Sequence, residues 1–168
     1  MQRARSSVIE EQALDPGRHD RKGFSCGVSA LDDHLQRFAI QQSRVTVVRV
    51  LIDTNQPAEI LGYYSLSAAQ IDVNALSEAD KKQLPRYPVP CFRMGRLACN
   101  VSRQGKGIGK LLIGCAVTRC LEARKQVAAF ALIVDAKDAR PKAFYKHYGF
   151  KACLDSPMTL YLTLGADK

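Results

Sequence analysis

The chain of 168 residues has no long hydrophobic run. Its longest is Val127 to Val134, eight residues, far short of what a bilayer span needs. The opening "MQRARSSVIEEQ" carries basic residues but neither an apolar h-region nor a cleavage site. These absences predict a protein that stays in the cytoplasm and off the membrane. No CxxC pair occurs among the six cysteines, and the three histidines, His19, His34 and His147, are scattered. A metal site is therefore not expected, and nothing requires an oxidising compartment. Cys99 and Cys115 read as small buried hydrophobes. Internal repeats, linkers and low-complexity segments are also lacking, so a single domain over residues 1–168 is expected.

Positive charge is in excess. Lysine plus arginine number 25 against 16 acids, a formal charge of +9. Such an excess points to a polyanionic partner, nucleic acid or a phosphorylated cofactor, or else to a solvated basic surface.

Patterning predicts a mixed architecture. "SALDDHLQRFAIQQS" reads as a helix capped by Ser29, with Leu31, Leu35, Phe38 and Ala39 on one face. "VTVVRVLID" and "ILGYYSLSAAQI" read as an antiparallel hairpin closed by "TNQPAE". The polar stretch "LSEADKKQLPRYPVP" holds one helical turn, and "CFRMGRLACNV" is a strand. A helix then runs to about Lys125, with Ile108, Leu111, Leu112 and Cys115 inward. "VAAFALIVDA" is a buried central strand. "DARPKAFYKHYGF" is a short helix capped by Asp138, with Pro141 in the first turn, where no intrahelical N–H is needed. "FKAC" and "MTLYLTL" close the chain as strands. The class is α+β, or mixed α/β, with one sheet.

The stretch "RQGKGIGKLLIGCAV" carries the strongest chemical signal. It is not a P-loop, because Leu111 follows Gly109-Lys110 and Gln104 stands five before Gly109. It is not the dinucleotide fingerprint, because Lys110 stands where a third glycine is needed. A glycine turn at a helix start is still an anion site: its N–H groups are unpaired, the helix dipole is positive, and Lys106 and Lys110 add charge.

With its flanks, "RLACNVSRQGKGIGKLL" resembles the acyl-CoA-binding segment of the GNAT acetyltransferases, in the pattern Gln104-x-x-Gly107-x-Gly109. "ALIVDA" and "AFYKHYGF" continue it, the latter matching F-Y-x-x-x-G-F. "FSCGVSALDDHL", "LGYYSLS", "LPRYPVPCFRMGRLA" and "VDAKD" extend the resemblance to the GNAT toxins of type II toxin–antitoxin modules. Asn100, where an acid is common, and the Arg140-Pro141 pair depart from that pattern.

The resemblance implies a single GNAT fold, a central mixed, mostly antiparallel sheet flanked by helices. It implies acetyl-CoA as co-substrate, no metal, and transfer of acetyl to the α-amino group of aminoacyl-tRNA, which blocks translation. The alternative is a GNAT enzyme for a small amine or a protein amine. It further implies a homodimer and a ribbon-helix-helix antitoxin. Leu97, Ala98 and Cys99 would lie along the pantetheine arm. Gln104, Gly105, Lys106, Gly107, Ile108, Gly109 and Lys110 would hold the pyrophosphate. Tyr145 matches the tyrosine that protonates the leaving thiolate, ahead of its rival Tyr148. A thiol near ~8.5 and a phenol near ~10 are close enough for useful transfer. No histidine or carboxylate stands out as a general base, which suits an α-amine near ~7.7–8.0 better than a lysine near ~10.4. Arg86, Arg93 and Arg96 are candidate contacts to the tRNA backbone, with Arg3, Arg5, Arg44 and Arg49 as further cations.

Overall fold

The computed structural model describes residues 7–165; Arg3 and Arg5 lie outside them. Seven strands form one sheet in the order β1-β2-β3-β4-β5-β7-β6. They are β1 (Ile9–Ala13), β2 (Val47–Asp53), β3 (Gly62–Ile71), β4 (Val89–Cys99), β5 (Ala131–Asp135), β6 (Lys151–Ala152) and β7 (Thr159–Thr163). The pairs β1–β2, β2–β3, β5–β7 and β6–β7 are antiparallel, and β4–β5 is parallel. The helices are α1 (Ser29–Asp33), α2 (Glu78–Lys81), α3 (Ile108–Ala123) and α4 (Ala139–His147). The mixed, mostly antiparallel sheet agrees with the class read from the sequence.

The packing divides into two compact units, Met1–Leu66 with Arg96–Ala116, and Ser67–Gly95 with Val117–Lys168. In the first, Phe24, Leu35, Ala39, Val48, Val50, Ile52, Ile60, Tyr63 and Ala98 form the core. In the second, Ile71, Val73, Leu76, Val89, Cys91, Ala131, Ile133, Cys153 and Tyr161 do so.

Four local readings are corrected. Ser29 does not cap α1: Val28 holds the cap position without a side-chain bond, and Asp32 accepts from the Cys26 N–H at 2.9 Å instead. α1 passes at once into a π-helical turn, His34–Phe38, closed by the Ala39 N–H on the His34 carbonyl at 2.8 Å. The wider turn breaks the 3.6 spacing, so Leu35 and Ala39 are buried while Phe38 is exposed. On α3 the buried row is Ile108, Leu112 and Ala116, joined by Ile113 and Cys120. Leu111, three residues from Ile108 and about 60° off its direction, faces solvent. Cys99 and Cys115 are half-buried rather than buried.

β1 has no sequence signature. Its "IEEQA" is polar, and it exists because β2 offers an edge: Glu11 pairs with Arg49 at 2.7 Å and accepts from the Tyr64 hydroxyl at 2.8 Å. Among the described residues, no helix is long and apolar enough to cross a membrane.

Candidate acetyl-CoA and catalytic sites

All the predicted cofactor residues fall in the first unit. β4 delivers Leu97, Ala98 and Cys99, and its parallel pairing with β5 covers only Phe92–Met94 against Leu132–Val134. The chain then turns at Asn100. This buried amide donates to the Ile60 carbonyl at 3.1 Å, while its oxygen accepts from the N–H and hydroxyl of Ser102. A carboxylate could not make the first of these bonds, which gives the departure at Asn100 a structural reason.

The glycine turn follows. Gly105 and Gly107 have φ of +79° and +82°, the left-handed region, and a Cβ on either would meet nothing within 4 Å. The glycines therefore serve backbone conformation and open approach, not close packing. Lys106 and Lys110 are exposed, and Ile108 turns its side chain into the core. Ile108 is thus a backbone contributor at the start of α3, whose first N–H groups lack intrahelical acceptors. Gln104 is braced inward, its amide donating to the Cys26 carbonyl at 2.9 Å and the Cys99 carbonyl at 3.4 Å. It locks the turn onto β4 rather than reaching outward. These features fit a diphosphate: open space, a helix start and two exposed lysines.

Gly62 was not singled out from the sequence. A Cβ there would lie 2.9 Å from the Ala98 carbonyl oxygen and 3.0 Å from both Ile108 and Leu112. Its bareness lets β3, the Ala98 backbone and the first turn of α3 meet. The available signal was a glycine inside an otherwise apolar strand, "ILGYY".

Tyr145 belongs to the second unit, on α4. Asp138 caps this helix, accepting from the Arg140 N–H at 3.0 Å, and Pro141 sits in the first turn as expected. The Tyr145 ring is 7% exposed, edge-on to Phe144 at 5.7 Å and tilted against Phe150 at 5.4 Å. Burial, with a smaller push from Asp135, raises its hydroxyl to about 12. The phenol therefore stays protonated across the working range. Tyr148, by contrast, is half-buried.

The basic candidates separate. Arg93 pairs with Asp135, and Arg49 with Glu11, so both are held within the fold. Arg44 and Arg86 are exposed, and Arg96 is half-buried. Among the described residues, no cluster of three or more His, Cys, Asp or Glu could hold a metal.

No protein-family model matches the chain. A tRNA-acetylating toxin of Mycobacterium tuberculosis is 28% identical over 145 residues, 86% of either chain. A probable toxin TacT of Sinorhizobium fredii is 25% identical over 170 residues, 96% of this chain and 93% of the other. Among solved structures, AtaT complexed with acetyl-methionyl-tRNAfMet superposes with a TM-score of 0.87 at 26% identity, covering 93% of this chain and 95% of that one. A tyrosine-to-phenylalanine mutant of KacT gives the same score and coverage at 27% identity. AtaT has also been solved with its antitoxin AtaR and acetyl-CoA. In sequence and in fold, the chain is similar to tRNA-acetylating toxins along nearly its whole length.

Proposed function

We propose that the protein is an acetyl-CoA-dependent N-acetyltransferase that transfers acetyl to the α-amino group of aminoacyl-tRNA and so blocks translation. The observation that carries this is the open left-handed turn of Gly105 and Gly107 at the start of α3, in a chain similar over most of its length to tRNA-acetylating toxins. The backbone of Leu97, Ala98 and Cys99 pairs with the pantetheine arm, and an N–H there polarises the thioester carbonyl. The N–H groups of Gly105 and of Gly107 through Lys110, with the Lys106 and Lys110 ammonium groups, hold the pyrophosphate, while the Lys106 N–H closes the turn on the Arg103 carbonyl at 3.2 Å. Gln104 positions that turn.

The amine attacks the thioester carbon directly, the tetrahedral species collapses, and the C–S bond breaks toward sulfur. Tyr145 gives its hydroxyl proton to the departing thiolate. A phenol raised to about 12 is a weak acid in water. A thiolate in a dry site also binds its proton more tightly, as the buried Cys120 thiol, raised to about 12, illustrates. An ester-bound α-amine is largely neutral near pH 8 and needs little base.

Arg86 and Arg96 contact RNA phosphates, with Arg93 a weaker candidate because Asp135 holds it. The same reading makes residues 1–168 one catalytic domain working in the cytoplasm as a homodimer, silenced by a ribbon-helix-helix antitoxin. The decisive experiment is transfer from labelled acetyl-CoA to bulk charged tRNA, followed by identification of the modified aminoacyl group. Label on free amines or on protein, with none on RNA, would assign the alternative GNAT activity.

A further inference from the structure

A cavity of about 600 Å³ lies wholly in the second unit, lined by Val73, Asn74, Glu78, Lys81, Lys82, Leu84 and Arg86. That volume suits a nucleotide-sized ligand. Its wall is made by a 3₁₀ turn (Val73–Ala75), α2 and the proline-rich strap that follows. The wall is firmly built. Ser77 caps α2, the Tyr161 hydroxyl donates to Asp80 at 2.7 Å, and the Leu154 N–H donates to the Ala75 carbonyl at 2.9 Å.

Its charge is not neutralised from within. Asp80 is taken by Lys151 at 3.1 Å, whereas Lys81, Lys82 and Arg86 enter no ion pair among the described residues. Three cations face one lining acid, Glu78. Beside Arg86, Tyr87 is 64% exposed, an aromatic ring that the core does not use. Free cations, an amide able to read a base edge, and an exposed ring together are what single-stranded nucleic acid needs: phosphate contacts plus a stacking platform.

We propose that this cavity and Tyr87 bind an unpaired nucleotide of the RNA substrate, as at its single-stranded 3′ end, with Lys81, Lys82 and Arg86 on its phosphates and Tyr87 stacked on a base. The assignment rests on the RNA-substrate reading above and adds where the RNA is gripped. An acidic peptide fits the charge but gives the ring no role, so RNA is the occupant favoured here.

The test uses the full-length protein, bulk charged tRNA as acetyl acceptor, and a short labelled single-stranded RNA as binding probe. Lys82→Glu and Arg86→Glu should each raise KM for charged tRNA about ten-fold or more. Each should also flatten the log–log salt dependence of probe binding by about 0.7. Tyr87→Ala should weaken probe binding about five- to hundred-fold, and Tyr87→Phe should restore it, because the ring stacks without its hydroxyl. Acetyl-CoA affinity should stay constant throughout. Lys125→Glu, a reversal at an exposed site outside the cavity, serves as the charge control. If the wild type acetylates charged tRNA and these variants match the control, the cavity assignment is wrong and the activity stands. If the wild type acetylates no tRNA yet binds the probe through Lys82 and Tyr87, the cavity stands and the acceptor reading falls. Loss of polyglutamate binding in the variants, with RNA binding intact, would overturn the proposal in favour of a protein partner.

Discussion

Replacing Tyr145 by phenylalanine removes one oxygen atom and little else. The ring is 7% exposed and wedged against Phe144 and Phe150. Phenylalanine keeps that ring, so the packing of α4 should persist and the melting temperature should change little. General acid catalysis contributes about 10²–10⁴-fold in rate. At about 1.4 kcal/mol per factor of ten, that raises the barrier by roughly 3–5 kcal/mol. kcat should therefore fall by two to four orders of magnitude, with acetyl-CoA affinity by calorimetry nearly unchanged. If the proposed function holds, the variant should lose toxicity in cells while its fold persists.

The pH profile adds a second check. Burial, then Asp135, lifts the Tyr145 hydroxyl from 10 to about 12. A raised acid stays protonated below that value, so Tyr145 imposes no alkaline fall between pH 8 and 10. The acid limb should track the substrate amine, at or below ~8. The assay is single-turnover acetyl transfer by Tyr145→Phe beside Tyr148→Phe, across pH. The reasoning fails if Tyr145→Phe stays within a few-fold of wild type while Tyr148→Phe collapses. It fails equally if neither falls, since solvent would then suffice to protonate the thiolate.

Gly62→Ala should push β3 off the Ala98 carbonyl and the first turn of α3, where its methyl would sit at 2.9–3.0 Å. Overpacking of this kind costs about 1–3 kcal/mol, and acetyl-CoA affinity should drop along with thermal stability; an unshifted melting curve would show that the strand relaxes freely. His34 is 2% exposed, its two ring nitrogens have no hydrogen-bond partner among the described residues, and burial with the nearby Arg96 lowers it from 6.5 to about 4. A depressed histidine binds its proton more readily unfolded, so stability should be full above pH 6.5 and lost as pH falls toward 4, by up to about 3 kcal/mol. Urea titrations from pH 7 to 4 on wild type and His34→Phe should show the variant less pH-sensitive; parallel curves would remove His34 as the cause. Acetylation of charged tRNA should show a KM that rises steeply with salt, and a salt-independent KM would point to a small amine.

The strands Val47–Asp53 and Ala131–Asp135 were legible because β-branched and aliphatic runs fit a pleated, buried surface and little else. The cap at Asp138 and the glycine turn were legible for a related reason. Each depends on what a few adjacent residues can do with their own backbone. The candidate acetyl-CoA segment and Tyr145 were found through motif order, which is also local. Tertiary structure decided the rest. β1 became a strand only because β2 presented an open edge to a polar segment. The π turn at His34–Phe38 moved Phe38 outward against its spacing, and the inward row of α3 settled on Leu112 rather than Leu111. Arg93 and Arg49 looked as available as any other arginine until Asp135 and Glu11, 42 and 38 positions away, closed on them. Gly62 likewise gains its role only where distant segments meet, because sequence records chemistry and local conformation, whereas distance between remote residues is set by packing.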